Sequence, residues 1–422
     1  MSRFWFVSAP LYSHTDWGGY LKTAQALHAD GHSVAWVSSA ALAKAITDAG
    51  LPFLEIEQTG WLWPPPPPPD LTQIAPQDAV MLRYRRALDT WLHEDLVAQG
   101  TQAILNLAAR VGKPDVIVTD PFLSAAALAA EALDVPLAVC GWIAQRELND
   151  EFLFPVQRTL GNESQERLAR LQARFGLTGR YFAQGPTPSI LSPYLHISYF
   201  TEDWYISDLA NLLEQTLFVG GLPTPPTTPP PQWLADIPTE TPLALVTLGT
   251  TFTGDLGFFS WAAHAASRAG LLPIVVIGHN PITADDKQTL IRSLPKGARL
   301  LNFVPFEHVL PRVRLMFHHG GMGTTHAAVV HGIPQIVVPH AADQRGQARR
   351  VAMAKVGLNL TAHDVRHNKL LEGALALMND TRVQQNARDL AARMAALGGA
   401  SSAARALANL AAGTLDIEQA LS

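Results

Sequence analysis

The sequence predicts an α/β protein of two doubly wound parallel-sheet domains facing each other across a cleft, and three observations carry that prediction. Short apolar runs such as Phe4-Trp5-Phe6-Val7 alternate with stretches of helical period, the pattern of βαβ units. The alternation is interrupted at Leu222-Pro223-Thr224-Pro225-Pro226-Thr227-Thr228-Pro229-Pro230-Pro231, a stiff extended connector, and then restarts. The 422 residues are 48% hydrophobic and 16% charged, enough core for two or three domains and too little polarity for global disorder.

The first domain is expected over residues 1–221. Phe4–Val7 reads as its first strand, followed by a loop to Gly19 and an amphipathic helix from Tyr20 to Ala29, with Leu21, Ala24 and Leu27 on one face and Gly31 as its stop. Val34–Val37 closes a right-handed βαβ unit, and a second helix from Ala40 ends at Gly50. Pro64 to Pro69 must run extended, because proline lacks the N–H and fixes φ. Trp61 and Trp63 precede this run, either as packed surface aromatics or as the wall of an apolar pocket. Met81–Ala109 reads as helix. Val116–Asp120, Leu137–Val139, Leu195–Phe200 and Leu217–Val219 read as further strands. Residues 142–185 are irregular and aromatic-bearing, with Phe152 and Phe154 among them.

Residues 222–238 form the proline-rich linker, and 239–400 the second domain, with strands at Leu243–Leu248, Ile274–Ile277, Arg299–Val304, Leu315–Phe317 and Ile336–Val338. The alanine-rich tail from Leu370 reads as helical with a break at Gly398-Gly399, and 401–422 is set apart as a helical tail. In two such domains, ligands are expected at the C-terminal ends of the strands.

The most informative stretch is His318-His319-Gly320-Gly321-Met322-Gly323-Thr324-Thr325-His326. It follows a buried strand and precedes a helix that Thr324 or Thr325 can cap, with Gly332 at C′ and Pro334 beyond. Glycines at a strand-to-helix turn let backbone N–H groups approach a ligand, and the helix end carries partial positive charge. Such a turn holds an anion, most plausibly a diphosphate. No Lys follows the glycines, so it is not the lysine-bearing P-loop. A zinc site from His318, His319 and His326 is the rival reading, lacking Cys partners and a convincing fourth ligand.

Together with Phe303, Gly332-Ile333-Pro334 and Asp343-Gln344 at their spacings, this stretch resembles the donor signature of the UDP-glycosyltransferase superfamily, most closely its sterol and glycopeptide branches. The resemblance implies the GT-B fold of two Rossmann-like domains, an acceptor-binding first domain and a nucleotide-sugar-binding second. In GT-B proteins a C-terminal tail often crosses back to the first domain. The donor contacts it implies are Gly249 and Thr250 after the first strand of the second domain, and Phe303 and Val304 at the base. It further implies His319, Gly320, Gly321, Gly323 and Thr324 at the diphosphate, and Asp343 and Gln344 at the sugar hydroxyls. Many relatives place Glu eight residues after the signature His to hold the ribose, and here Ala327 stands there, leaving uridine and thymidine donors both open.

Proton transfer points to the other domain. His14 lies in the loop after the first strand, Asp120 ends another strand, and a His oriented by a carboxylate is a general base for an attacking hydroxyl. Val118-Thr119-Asp120-Pro121-Phe122 resembles the family segment that carries this Asp. Counted back from Gly31-His32, Asp16 falls at the base position instead, so Asp16 is the alternative. Trp61, Trp63, Phe152, Phe154 and Trp204 are acceptor-pocket candidates that could equally be core.

The expected function is therefore an inverting, metal-independent glycosyltransferase moving a sugar from a UDP- or dTDP-sugar to a hydroxyl of a lipophilic small molecule, with no cofactor. The alternatives are a nucleotide-sugar epimerase or hydrolase of the same fold, and a non-catalytic helper subunit. A net charge of −5 without a basic block argues against nucleic acid as a partner, while surface contact with a membrane stays open. The single cysteine, Cys140, in an apolar run, is expected to be a buried structural thiol, and a cytoplasmic location is expected.

Overall fold

The computed structural model describes residues 1–16, 18–67, 74–141, 159–183, 189–249, 256–278, 282–340 and 344–416. The chain forms two compact units. The first comprises Met1–Glu202, Asp208–Val219 and Gly398–Ser422; the second comprises Asp203–Ser207 and Gly220–Leu397. This division departs from the expected one where five residues after Glu202 belong to the second unit; the final helix belongs to the first, as the resemblance implies for the tail.

In the first unit, strands β1 (Arg3–Val7), β2 (Ser33–Ser38), β3 (Phe53–Glu55), β4 (Val116–Thr119), β5 (Leu137–Gly141), β6 (Leu195–Ser198) and β7 (Thr216–Phe218) form one parallel sheet in the order β3-β2-β1-β4-β5-β6-β7. The order reverses direction beside β1, which makes the C-terminal ends of β1 and β4 neighbours, Val7 opposite Thr119. The helix Tyr20–Ala29 packs Tyr20, Ala24 and Leu27 on this sheet, and the last helix, Gly399–Ala412, adds Ala403, Ala404, Leu407 and Leu410 to the same core. That apolar face is why the tail joins this unit, and Gly399 N–H donates to Val219 C=O at its entry. Cys140 is buried on β5, and burial pushes its thiol far above the usual range, which suits a structural role. The single helix expected over 81–109 is two, Pro76–Leu92 and Glu94–Val111, because His93 is extended between them and Glu94 and Asp95 start a new first turn.

In the second unit, β8 (Leu243–Thr247), β9 (Leu272–Val276), β10 (Arg299–Leu301), β11 (Val313–His318), β12 (Gln335–Val337) and β13 (Gly357–Asn359) form a parallel sheet in the order β10-β9-β8-β11-β12-β13. The strand expected to reach Val304 stops at Leu301, and a helix spans Gln344–Met353. Gly357 opens β13, where a Cβ would collide with Gln335 C=O. Among the described residues no helix is long and apolar enough to cross a membrane.

Candidate active site

In the first unit, the chain leaving β1 makes a short 3-10 turn, Tyr12–His14, and the chain leaving β4 begins with Asp120. Because the two strands are neighbours, His14 Nδ1 lies 3.1 Å from Asp120 Oδ2, with both side chains buried. The other oxygen, Asp120 Oδ1, accepts the N–H of Phe122 at 2.8 Å. A carboxylate held this way accepts a hydrogen bond from Nδ1–H and leaves the lone pair of a neutral imidazole on Nε2. Trp61 sets its ring edge-on to His14, centroids 4.8 Å apart, so one acceptor candidate packs directly on the dyad. Trp63 is exposed. Asp16 is also exposed, and its C=O accepts the N–H groups of Gly19 and Tyr20 at the start of the first long helix. Phe152 and Phe154 lie outside the described residues.

In the second unit, Gly249 follows β8 and His319-Gly320-Gly321 follow β11, again the ends of adjacent parallel strands. The His319 ring fills the space between them. A Cβ on Gly249 would come 2.7 Å from its Cε1, and one on Gly321 would come 2.5 Å from its Nε2. Gly320 has φ +91°, and its Cβ would meet Gln344 C=O at 2.8 Å, so only glycine passes here. Burial, with His318 and His340 nearby, lowers the pKa of His319 to about 3, so the ring is neutral at physiological pH.

The helix that follows runs from Met322 to Val330 with Gly321 as N-cap, so neither Thr324 nor Thr325 caps it; both lie in its first turn. The first intrahelical bond is Thr325 N–H to Gly321 C=O at 2.9 Å, which places the N–H groups of Met322, Gly323 and Thr324 ahead of the hydrogen-bonded ladder. A Cβ on Gly323 would meet nothing within 4 Å. Gly332, at φ +63°, follows the helix as expected.

His318 is the first member of the rival zinc set, with His319 and His326. Its Nδ1 accepts Gly320 N–H at 3.1 Å and its Nε2 lies 2.9 Å from Gln335 Oε1, so both nitrogens are engaged and the zinc set lacks its first member. Among the described residues no group of three or more His, Cys, Asp or Glu side chains is placed to hold a metal ion.

Phe303 is 67% exposed while Val304 is buried, so Phe303 is not core and presents its ring outward from the end of β10. Gln344 begins the helix Gln344–Met353, and its Oε1 accepts His340 N–H at 2.8 Å. Thr250 and Asp343 lie outside the described residues. Trp204, a candidate for an acceptor pocket or for core, is part of the second unit: it is buried and its indole N–H donates to Gln347 on that helix. Nothing in the sequence distinguishes the two placements, since an aromatic suits either.

Residues 271–410 match the family described as "Erythromycin biosynthesis protein CIII-like, C-terminal domain". The chain is 28% identical to a demethyllactenocin mycarosyltransferase of Streptomyces fradiae over 40% of its own length and 36% of that protein's, so this match spans about a third of the relative. It is 24% identical to an erythronolide mycarosyltransferase of Saccharopolyspora erythraea over 88% of its length and 90% of that protein's. Among solved structures it resembles the glycosyltransferase SsfS6 of Streptomyces sp. SF2575 complexed with thymidine diphosphate, with TM-score 0.65, 20% identity, and coverage of 97% of this chain and all of that one. Likeness at this level shows the fold, which is GT-B.

Proposed function

We infer that this chain is a member of the UDP-glycosyltransferase superfamily and a glycosyltransferase moving a sugar from a nucleoside diphosphate sugar to a hydroxyl of a lipophilic small molecule, with inversion at the anomeric carbon. The observation that carries the reading is the turn at 319–324. Three helix-start amides stand beside a neutral histidine at the carboxyl end of the sheet, an arrangement suited to a diphosphate.

In the proposed reaction His14 Nε2 takes the acceptor hydroxyl proton as its oxygen attacks the anomeric carbon, and Asp120 holds Nδ1–H and stabilises the imidazolium formed. The bond to the leaving diphosphate breaks on the opposite face of the sugar, which is what inverts the centre. The charge gathering on the diphosphate is met by the amides of Met322, Gly323 and Thr324 and by an N–H of His319. That scheme needs neither metal nor cofactor. Phe303 offers a ring face to the base, and Gln344, with Asp343, is assigned to the sugar hydroxyls. The thymidine diphosphate in SsfS6 favours a thymidine over a uridine donor. The acceptor class is supported by the mycarosyltransferase relatives, whose names point to natural products.

The test is to incubate the protein with UDP- and dTDP-sugars and pooled hydroxylated lipophilic compounds. Products heavier by one sugar, formed with release of nucleoside diphosphate, are expected. Donor consumption that ignores the acceptor would instead indicate an epimerase or hydrolase, and failure to bind any nucleotide would overturn the reading.

A further inference from the structure

We propose that His318 is a positioning residue of the diphosphate turn and not a ligand of the diphosphate: its ring pins the Gly320 amide inward and thereby aims the amides of Met322, Gly323 and Thr324 outward. The proposal rests on the reading that this turn takes a diphosphate.

The bonding of His318 admits one assignment. Gly320 N–H can only donate, so Nδ1 carries a lone pair; a neutral ring then has its proton on Nε2, which donates to Gln335 Oε1. Protonating Nδ1 would expel the Gly320 amide. The residue is fully buried at the end of β11 between Thr247 of β8 and Val337 of β12, and its C=O accepts Val338 N–H at 2.9 Å. With backbone and both ring nitrogens committed inside the unit, the side chain has nothing left to offer a ligand. Burial also lowers its pKa to about 4, so it contributes no positive charge near neutrality.

Stability alone does not account for the arrangement. Turning Oε1 toward His318 leaves Gln335 Nε2 buried with no hydrogen-bond partner among the described residues. Such a group costs stability that an apolar pair of the same shape would avoid. What the pair supplies is direction: with Gly320 N–H bound to the ring two residues back, the peptide between His319 and Gly320 has one orientation. Gly320, forced to φ +91° against Gln344 C=O, then passes the chain into the helix at Gly321. Gly320 accordingly serves through its backbone path, and its N–H is not a contact for the ligand.

The test compares full-length wild type with His318→Asn and His318→Leu, using dTDP and UDP as probes in titration calorimetry. An Asn side-chain oxygen can stand where Nδ1 stood and accept Gly320 N–H; Leu cannot. The expected result is near-normal affinity for His318→Asn and a loss of on the order of tenfold or more for His318→Leu. Equal loss in both variants would overturn the proposal. Nitrogen NMR on the wild type needs no variant to fold: the His318 ring should show the Nε2–H tautomer, unchanged on saturation with diphosphate, and Gly320 N–H should exchange slowly. A His318 ring signal that moves to the protonated or hydrogen-bonded-to-ligand form on binding would also overturn it. If the wild type binds neither nucleotide, the diphosphate reading fails, while slow or fast Gly320 exchange still decides whether the pin exists.

Discussion

The indole N–H of Trp204 donates to Gln347 Oε1 at 3.2 Å, and the next residue, Tyr205, lies under the guanidinium of Arg350 at 4.7 Å from its ring centroid. Both partners are on the helix Gln344–Met353, whose first residue is assigned to the donor sugar. Asp203 extends the same contact through an ion pair with Arg393 at 3.0 Å. Trp204 and Tyr205 thus hold the helix Gln344–Met353, and Asp203 ties the same segment to the helix Thr381–Ala396. Arg350 is fully buried, and the face of Tyr205 compensates part of the cost of burying its charge.

Trp204→Phe keeps the ring but removes this donor from Gln347, at a cost of about 1–3 kcal/mol if Oε1 finds no other. The expected outcome is a several-fold higher KM for the nucleotide sugar with kcat and affinity for the free nucleoside diphosphate nearly unchanged. Steady-state kinetics with calorimetry of dTDP checks it. A lower melting temperature with an unaltered KM would reduce the segment to a structural brace.

The dyad gives a different signature. His14→Ala should lower kcat by about 10²–10⁴-fold, the usual contribution of a general base, while leaving nucleotide affinity intact. Asp120→Asn should lower kcat as well, since an amide cannot stabilise the imidazolium and can present its N–H₂ to Nδ1, favouring the wrong tautomer. Asp16→Ala should have a much smaller effect, because Asp16 stands outside the His14–Asp120 pair. An active His14→Ala with an inactive Asp16→Ala would move the base to Asp16.

How legible these arrangements were depended on what fixed them. His14 and Asp120 each stand just past a strand of one sheet, so their meeting needed only β1 and β4 to be neighbours. The same logic made His319 and Gly249 legible through β11 and β8. His318 and Gln335 were not, because their contact depends on the register that puts Met316 opposite Gln335, and no local pattern encodes register. Strands β3 and β13 were missed because Phe53-Leu54-Glu55 and Gly357-Leu358-Asn359 show neither alternation nor an apolar run, unlike the equally short β7 with its Leu217-Phe218-Val219. The unit that holds Trp204 was not legible, because the burial of an aromatic says nothing about which unit buries it.

Two glycines of the nucleotide turn separate stability from binding. Gly249→Ala puts a Cβ 2.7 Å from the His319 ring at a backbone φ of +77°, so both the fold and nucleotide affinity should suffer. Gly323→Ala meets no protein atom and lies in a helix, where alanine is favoured by up to about 1 kcal/mol. Its melting temperature should hold or rise while affinity for dTDP falls, since the new methyl stands beside an amide assigned to the diphosphate. Calorimetry and thermal melts on both variants check this. Undiminished binding in Gly323→Ala would place the diphosphate elsewhere.

Buried histidines set the acid limit of the fold. Burial lowers His196 in the first unit and His318 in the second to about 4, and His319 to about 3, from an ordinary 6.5. Between those values and 6.5 the unfolded chain binds more protons than the native one, so stability rises with pH across the window. The contribution is complete above about 6.5 and is lost as the pH falls, at up to about 1.4 kcal/mol per pH unit for each histidine. The upper part of the window, pH 5 to 6.5, lies above the titration of ordinary carboxylates, so the slope there reports the histidines. Denaturant midpoints followed over that range should fall toward acid, and His318→Asn should flatten the slope for the second unit. A stability that stays level from pH 6.5 to 5 would mean that these rings accept protons without leaving their native partners.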